Sequence, residues 1–159
     1  MTGPLSHLDE KGRARMVDVG EKKSTRRTAI AGADVLISPQ TLSLVVDGQV
    51  AKGDVLAGAR IAGITGGKKT PDLIPLTHPI GLDSMKVDLT ADTELPGIRI
   101  EATTTTHGKT GVEMEALTAV SVAALTVYDM LKSIEKGIRI TNVRLTYKDG
   151  GKSGVYRAE

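Results

Sequence analysis

The chain contains no Cys, no Trp and no Phe, and only three Tyr. Without Cys there can be no disulfide, thiolate zinc site, iron–sulfur ligation or cysteine nucleophile. So few aromatics argue against single-strand nucleic-acid modules, which stack bases on Phe, Tyr or Trp. No Gly-x-Gly-x-x-Gly is present, so a dinucleotide fold is not expected. An excess of charge is also missing: the net charge of +2 is too slight for a nucleic-acid footprint. Long apolar runs are absent as well. The N-terminus, Met1-Thr2-Gly3-Pro4-Leu5-Ser6-His7, lacks the hydrophobic stretch of a signal peptide. Residues 116–128 are uncharged but contain Thr118, Ser121 and Thr126, and they fall short of the roughly 20 residues of a bilayer crossing. A cytoplasmic protein with no membrane or nucleic-acid partner is the expectation.

What is present is the length and balance of one globular domain: 159 residues, 40% apolar and 25% charged. Residues 1–24 are polar and read as an N-terminal arm or loop, leaving a single domain over 25–159. From Arg27 to Val35 the residues alternate, with Ala29, Ala31, Ala33 and Val35 on one side, as in a half-buried strand. Ser38-Pro39 starts a short helix that stops near Gly48. A second helix follows Gly53-Asp54. Its many glycines, each costing about 1 kcal/mol against Ala in a helix, suggest close approach to another element or a ligand. Residues 71–79 read as a loop. Residues 86–90 and 98–102 alternate and form a hairpin through Glu94-Leu95-Pro96-Gly97. Residues 113–135 form a long helix ended by Gly137. It is apolar almost all round, which points to burial on several sides and hence to an oligomer. Alternating residues 138–147 and a short piece at 155–157 complete the sheet. This order is that of an α+β ferredoxin-like sandwich, one antiparallel sheet with helices on one face.

Three groups of residues could carry chemistry. His78 lies between Pro75 and Pro79, on backbone with few conformations to lose. That placement suits an imidazole that exchanges protons near neutral pH, or one that simply packs on a turn. Asp129 and Lys132 share a helix face and interrupt an otherwise apolar surface. Taken alone they read first as a structural ion pair, and second as an acid–base pair with tunable proton affinities. Gly66-Gly67-Lys68-Lys69-Thr70 and Lys148-Asp149-Gly150-Gly151-Lys152-Ser153-Gly154 each resemble the end of a phosphate-binding loop, but neither completes the pattern. They read as polyphosphate cradles or as solvated turns. Glu113 and Glu115 open the long helix, where acids complement the helix dipole. They could equally bind the amino and ring N–H groups of a purine or pterin. His7 and His107 have no acidic or imidazole partner at metal-ligand spacing, and no metal is expected.

Read together, several motifs occur in a familiar order. They are Met16-Val17-Asp18-Val19, Lys52-Gly53-Asp54-Val55, Asp72-Leu73-Ile74-Pro75-Leu76-Thr77-His78-Pro79, Lys109-Thr110-Gly111-Val112-Glu113-Met114-Glu115-Ala116-Leu117, Tyr128-Asp129-Met130 and Gly150-Gly151-Lys152-Ser153-Gly154. Over nearly its whole length the chain resembles the cyclic pyranopterin monophosphate synthases, also called molybdenum cofactor biosynthesis protein C. The resemblance implies a ferredoxin-like subunit in a homo-hexamer, a trimer of dimers, with active sites between subunits. It implies a lyase that converts 3′,8-cyclo-7,8-dihydro-GTP, a purine triphosphate, to cyclic pyranopterin monophosphate and pyrophosphate. No cofactor is implied, and a functional link to the radical enzyme upstream would suit an unstable intermediate. Carried over by motif, Asp129 is the catalytic acid/base and Lys132 its partner. Leu76, Thr77, His78, Glu113, Met114 and Glu115 bind substrate, and Lys52, Lys68 and Lys148 suit the triphosphate. Two positions depart from the family pattern: Thr77 stands where Cys is common and Pro71 where Trp can occur. The competing class is a non-catalytic nucleotide-binding oligomer in which Asp129–Lys132 is structural.

Overall fold

A computed structural model describes residues 8–159; His7 and the residues before it lie outside the described part. Five strands form one antiparallel sheet in the order β2-β3-β1-β4-β5, with β1 at Thr25–Leu36, β2 at Ser84–Asp92, β3 at Gly97–Gly108, β4 at Arg139–Asp149 and β5 at Tyr156–Arg157. The helices are α1 (Pro39–Val46), α2 (Val55–Lys68), α3 (Thr70–Leu73) and α4 (Glu113–Leu131). Together they make the ferredoxin-like sandwich. Ala29, Ala31, Ala33 and Val35 of β1 face the helices and are buried, as their alternation requires. The small alanines let α4 lie close across the central strands.

Helix starts follow their side chains. Ser38 accepts a hydrogen bond from the Thr41 N–H at the head of α1, and Asp54 accepts one from the Ala57 N–H at the head of α2. The end of α4 differs from expectation. The helix stops at Leu131 with Lys132 as its C-cap, four residues before Glu135. Glu135 instead turns back to accept bonds from the Ser38 N–H and hydroxyl, tying the exit of α4 to the start of α1. A four-residue helical turn, α3, also occupies the first part of the stretch read as loop.

The glycines of α2 serve helix packing. Nine of the 19 residues of α4 are buried, because the sheet covers one side and α2 another. A Cβ on Gly66 would stand 2.6 Å from Val122 Cγ2, and one on Gly63 would stand 3.0 Å from the Ala119 carbonyl. About half of the long helix is therefore buried within one chain, so part of its apolar pattern is accounted for without an oligomer. By length and mean hydropathy α4 could cross a membrane, yet it lies in the core. Gly66→Ala should regain about 1 kcal/mol of helix propensity but lose about 1–3 kcal/mol to overpacking against a stiff β-branched side chain. A lower thermal midpoint is expected; an unchanged one would show that the two helices have room to spare.

Candidate active site

One cavity of about 340 Å³ opens where the loop after α3 meets the head of α4. Leu76, Thr77 and His78 form one wall, and Glu113, Met114 and Glu115 with Thr110 and Gly111 form another. The fold thus brings together six residues singled out in the sequence from segments more than thirty positions apart. Residues 17–22 close a third side through Val17, Val19 and Lys22.

Glu115 is 3% exposed, and burial pushes its carboxyl above the usual Glu value, with Glu113 adding like-charge repulsion. It therefore holds its proton more tightly than a free Glu does, and in the protonated form it can both donate and accept a hydrogen bond. Glu113 lies across Gly111, where a Cβ would collide with the carboxylate. It pairs with Lys148 of β4 at 3.1 Å, and Lys148 also reaches the Ser153 hydroxyl. His78 donates through Nε2 to the Val17 carbonyl at 2.7 Å. A carbonyl can only accept, so this bond puts the proton on Nε2 and leaves Nδ1 as the second polar atom of the ring. The Thr77 hydroxyl donates to the Ile74 carbonyl at 2.9 Å, which fixes the turn before His78.

Glu115 also gives a pH prediction. The folded state holds its proton more tightly than the unfolded chain does. Its favourable contribution is full below the ordinary value of 4.5 and is lost as pH rises through the raised folded value. Glu115→Gln should therefore flatten the decline of the thermal midpoint above pH 4.5. Parallel profiles for the two proteins would count against this.

A second cluster lies at the other end of α4. Asp129 Oδ1 meets Lys132 Nζ at 2.6 Å, and its Oδ2 meets Lys52 Nζ at 3.1 Å. Lys52 Nζ also donates to the Asp129 main-chain carbonyl at 2.7 Å. The bonds from Lys132 and then Lys52 hold the Asp129 carboxyl below the usual carboxylate range, and Asp129 in turn raises Lys132. All three side chains are substantially exposed, Asp129 by 57%. From Glu115 to Asp129 is fourteen helical steps, or about 21 Å, whereas a proton donor must come within about 3 Å of the atom it serves. Within one chain the two clusters are separate.

The remaining sequence expectations sort as follows. Lys68 is exposed in the last turn of α2 and does not line the cavity. In the 150–154 loop Gly150 and Gly151, both at positive φ, pack directly on Arg26 and Arg27, while Lys152, Ser153 and Gly154 are exposed. His107 does have an acidic partner, Asp83 just before β2, 2.6 Å away, which the β2–β3 pairing brings beside it.

Residues 16–151 match the MoaC family. The chain belongs to that family. It is 57% identical to the cyclic pyranopterin monophosphate synthase of Dinoroseobacter shibae over 98% of both chains. It is 58% identical to cyclic pyranopterin monophosphate synthase 1 of Mycobacterium tuberculosis, over 96% of this chain and 89% of that one. With the same enzyme of Methylobacterium nodulans the identity is 55%, over 98% and 97%. For this MoaC-family chain, reading the residues alone missed Val17, Val19, Lys22, Thr110 and Gly111. Met16-Val17-Asp18-Val19 did carry the resemblance, but a backbone carbonyl that anchors a histidine leaves no side-chain signature. The hydroxyl of Thr77 is already spent on the Ile74 turn, so the missing thiol leaves the cavity wall intact.

Proposed function

We propose that this chain is a cyclic pyranopterin monophosphate synthase, a lyase of molybdenum cofactor biosynthesis that converts 3′,8-cyclo-7,8-dihydro-GTP to cyclic pyranopterin monophosphate and pyrophosphate. The observation that carries the reading is the meeting of Leu76, Thr77, His78, Glu113, Met114 and Glu115 in one cavity, in a chain whose relatives bear that name. Glu115, which holds its proton more tightly than a free Glu, and Glu113 beside it offer hydrogen-bond partners to the amino and ring nitrogens of a purine or pterin. Lys52 and Lys132 supply fixed cations for phosphate oxygens, whose charge grows as the cyclic phosphate closes and pyrophosphate leaves.

The lysines also set when Asp129 can act. In the free protein both ammoniums hold it ionised and weakly basic. Phosphate oxygens compete for the same donors, so substrate binding draws the lysines away and raises the basicity of the carboxylate. Asp129 becomes an effective proton acceptor only with substrate in place, which suits the several proton transfers of ring opening and reclosure.

The separation of the clusters gives the oligomer its role. A two-fold arrangement in which the C-terminal end of α4 from one copy meets the cavity of another would complete the site. This reading is supported by the exposed Ile61 and Leu125 on α2 and α4, each about 60% accessible. A homo-hexamer built as a trimer of dimers fits that arrangement, as does a cytoplasmic location beside the enzyme that makes the unstable substrate. The test supplies the cyclised dihydro-GTP to the protein and measures pyrophosphate. Release at a rate proportional to enzyme is expected. Binding without release would return the chain to the class of non-catalytic nucleotide binders.

A further inference from the structure

Residues 17–22 carry no regular secondary structure, yet they wall the cavity. Their course is fixed from both sides. Asp18 Oδ1 accepts from the Gly20 N–H at 2.7 Å, and the Lys22 N–H donates to the Val19 carbonyl at 3.1 Å, making two overlapping turns. Val17 and Val19 are half-buried on the cavity side, while Asp18 and Gly20 face outward. Two side chains from distant segments then seize the backbone. His78 Nε2 donates to the Val17 carbonyl at 2.7 Å, and Lys109 Nζ donates to the Gly20 carbonyl at 2.6 Å.

We propose that residues 17–22 are a strap that completes the substrate cavity, and that Lys109 is a positioning residue that holds the strap, and with it Lys22, over the bound substrate. Lys109 does not line the cavity; it acts through Gly20. Its ammonium makes a charge-assisted bond to the main chain at the apex of the strap, opposite the hold of His78. Arg27 fixes the base of Lys109 by donating to the carbonyls of Gly108 and Lys109 itself. The consequence is a wall whose stability rests on few contacts, so it can open for substrate and close behind it. Closure would place the Lys22 ammonium at the rim, adding a cation for an anionic substrate. The role in substrate binding rests on the synthase reading; the tether does not.

The experiment compares wild type, Lys109→Met and Lys109→Arg as full chains in two measurements. One is the rate of trypsin cleavage after Lys22 and Lys23 without substrate, followed by mass spectrometry. The other is KM and kcat for pyrophosphate release. Loss of a charge-assisted bond should speed cleavage and raise KM, each about tenfold, with kcat changed far less. Lys109→Arg, whose guanidinium can reach the same carbonyl, should restore both. Asp18→Ala, which removes the turn at Gly20, should move both in the same direction as Lys109→Met. Wild-type cleavage and KM in Lys109→Met overturn the tether, and faster cleavage with an unchanged KM overturns the positioning role. A wild-type protein that releases no pyrophosphate would defeat the synthase reading alone, because the cleavage arm needs no substrate.

Discussion

Asp129→Asn should lower the rate of pyrophosphate release by about 10²–10⁴-fold while leaving the fold and the assembly unchanged. Asn has the same shape and keeps an oxygen for one of the two lysines, so the local geometry at the end of α4 survives. What it loses is the charge and the ability to take a proton. Because Asp129 is more than half exposed, its ion pairs contribute little to stability. A purely structural pair would therefore show near-normal turnover and at most a slightly lower thermal midpoint. The measurement is kcat for pyrophosphate release with the melting profile recorded alongside. A variant within about threefold of wild type would remove Asp129 from the chemistry and leave Lys52 and Lys132 as phosphate ligands only.

A second expected result concerns how sites are put together. Asp129→Asn and Glu115→Ala lie at opposite ends of one helix, about 21 Å apart, and each alone should be nearly inactive. If each site takes its cavity from one copy and its Asp129 cluster from another, mixing the two variants regenerates intact sites. With random reassortment in a two-fold pair, half the dimers are mixed. Each mixed dimer has one site free of both substitutions, giving about a quarter of wild-type activity. Unmixed samples assayed together should show none of this recovery. If each chain made its own site, refolded mixtures would stay as inactive as their parents.

Legibility in the sequence followed the physics of each element. β1 and β2 were readable because their alternation has one apolar side. The far half of β3 was not: Thr103, Thr104, Thr105 and Thr106 present the same side chain to both faces. The structure buries Thr104 and Thr106 by bonding their hydroxyls to the carbonyls of Val112 and Gly81. The end of α4 was overrun because Lys132 to Glu135 are acceptable helix formers. Only the tertiary bond from Ser38 to Glu135 shows why the chain turns instead.

For the site, spacing alone left His78 and the Asp129–Lys132 pair undecided between packing and chemistry. The ordered set of motifs implies chemistry for both by resemblance, and the structure joins six of the motif residues, His78 among them, in one cavity. Lys52 was legible as a family lysine, but its grip on Asp129 from 77 positions away was not. The strap was the least legible part, because its bonds run from side chains to main-chain oxygens that every residue possesses.

The glycine-lined contact between α2 and α4 has one more consequence. Gly63, Gly66 and Gly67 press α2 against Val122, Ala119 and the Glu115 carbonyl, so α4 cannot slide or rotate in its seat. In the proposed two-fold arrangement the helix acts as a ruler, setting the offset between what one copy would offer and what it would receive. One inserted residue between Glu115 and Asp129 would swing the carboxylate by about 100°, and four would bring it back to within about 40° but displace it by about 6 Å. If sites are shared between copies as proposed, helix length at this point is a dimension of the assembled molecule, metered within one subunit and read out between two.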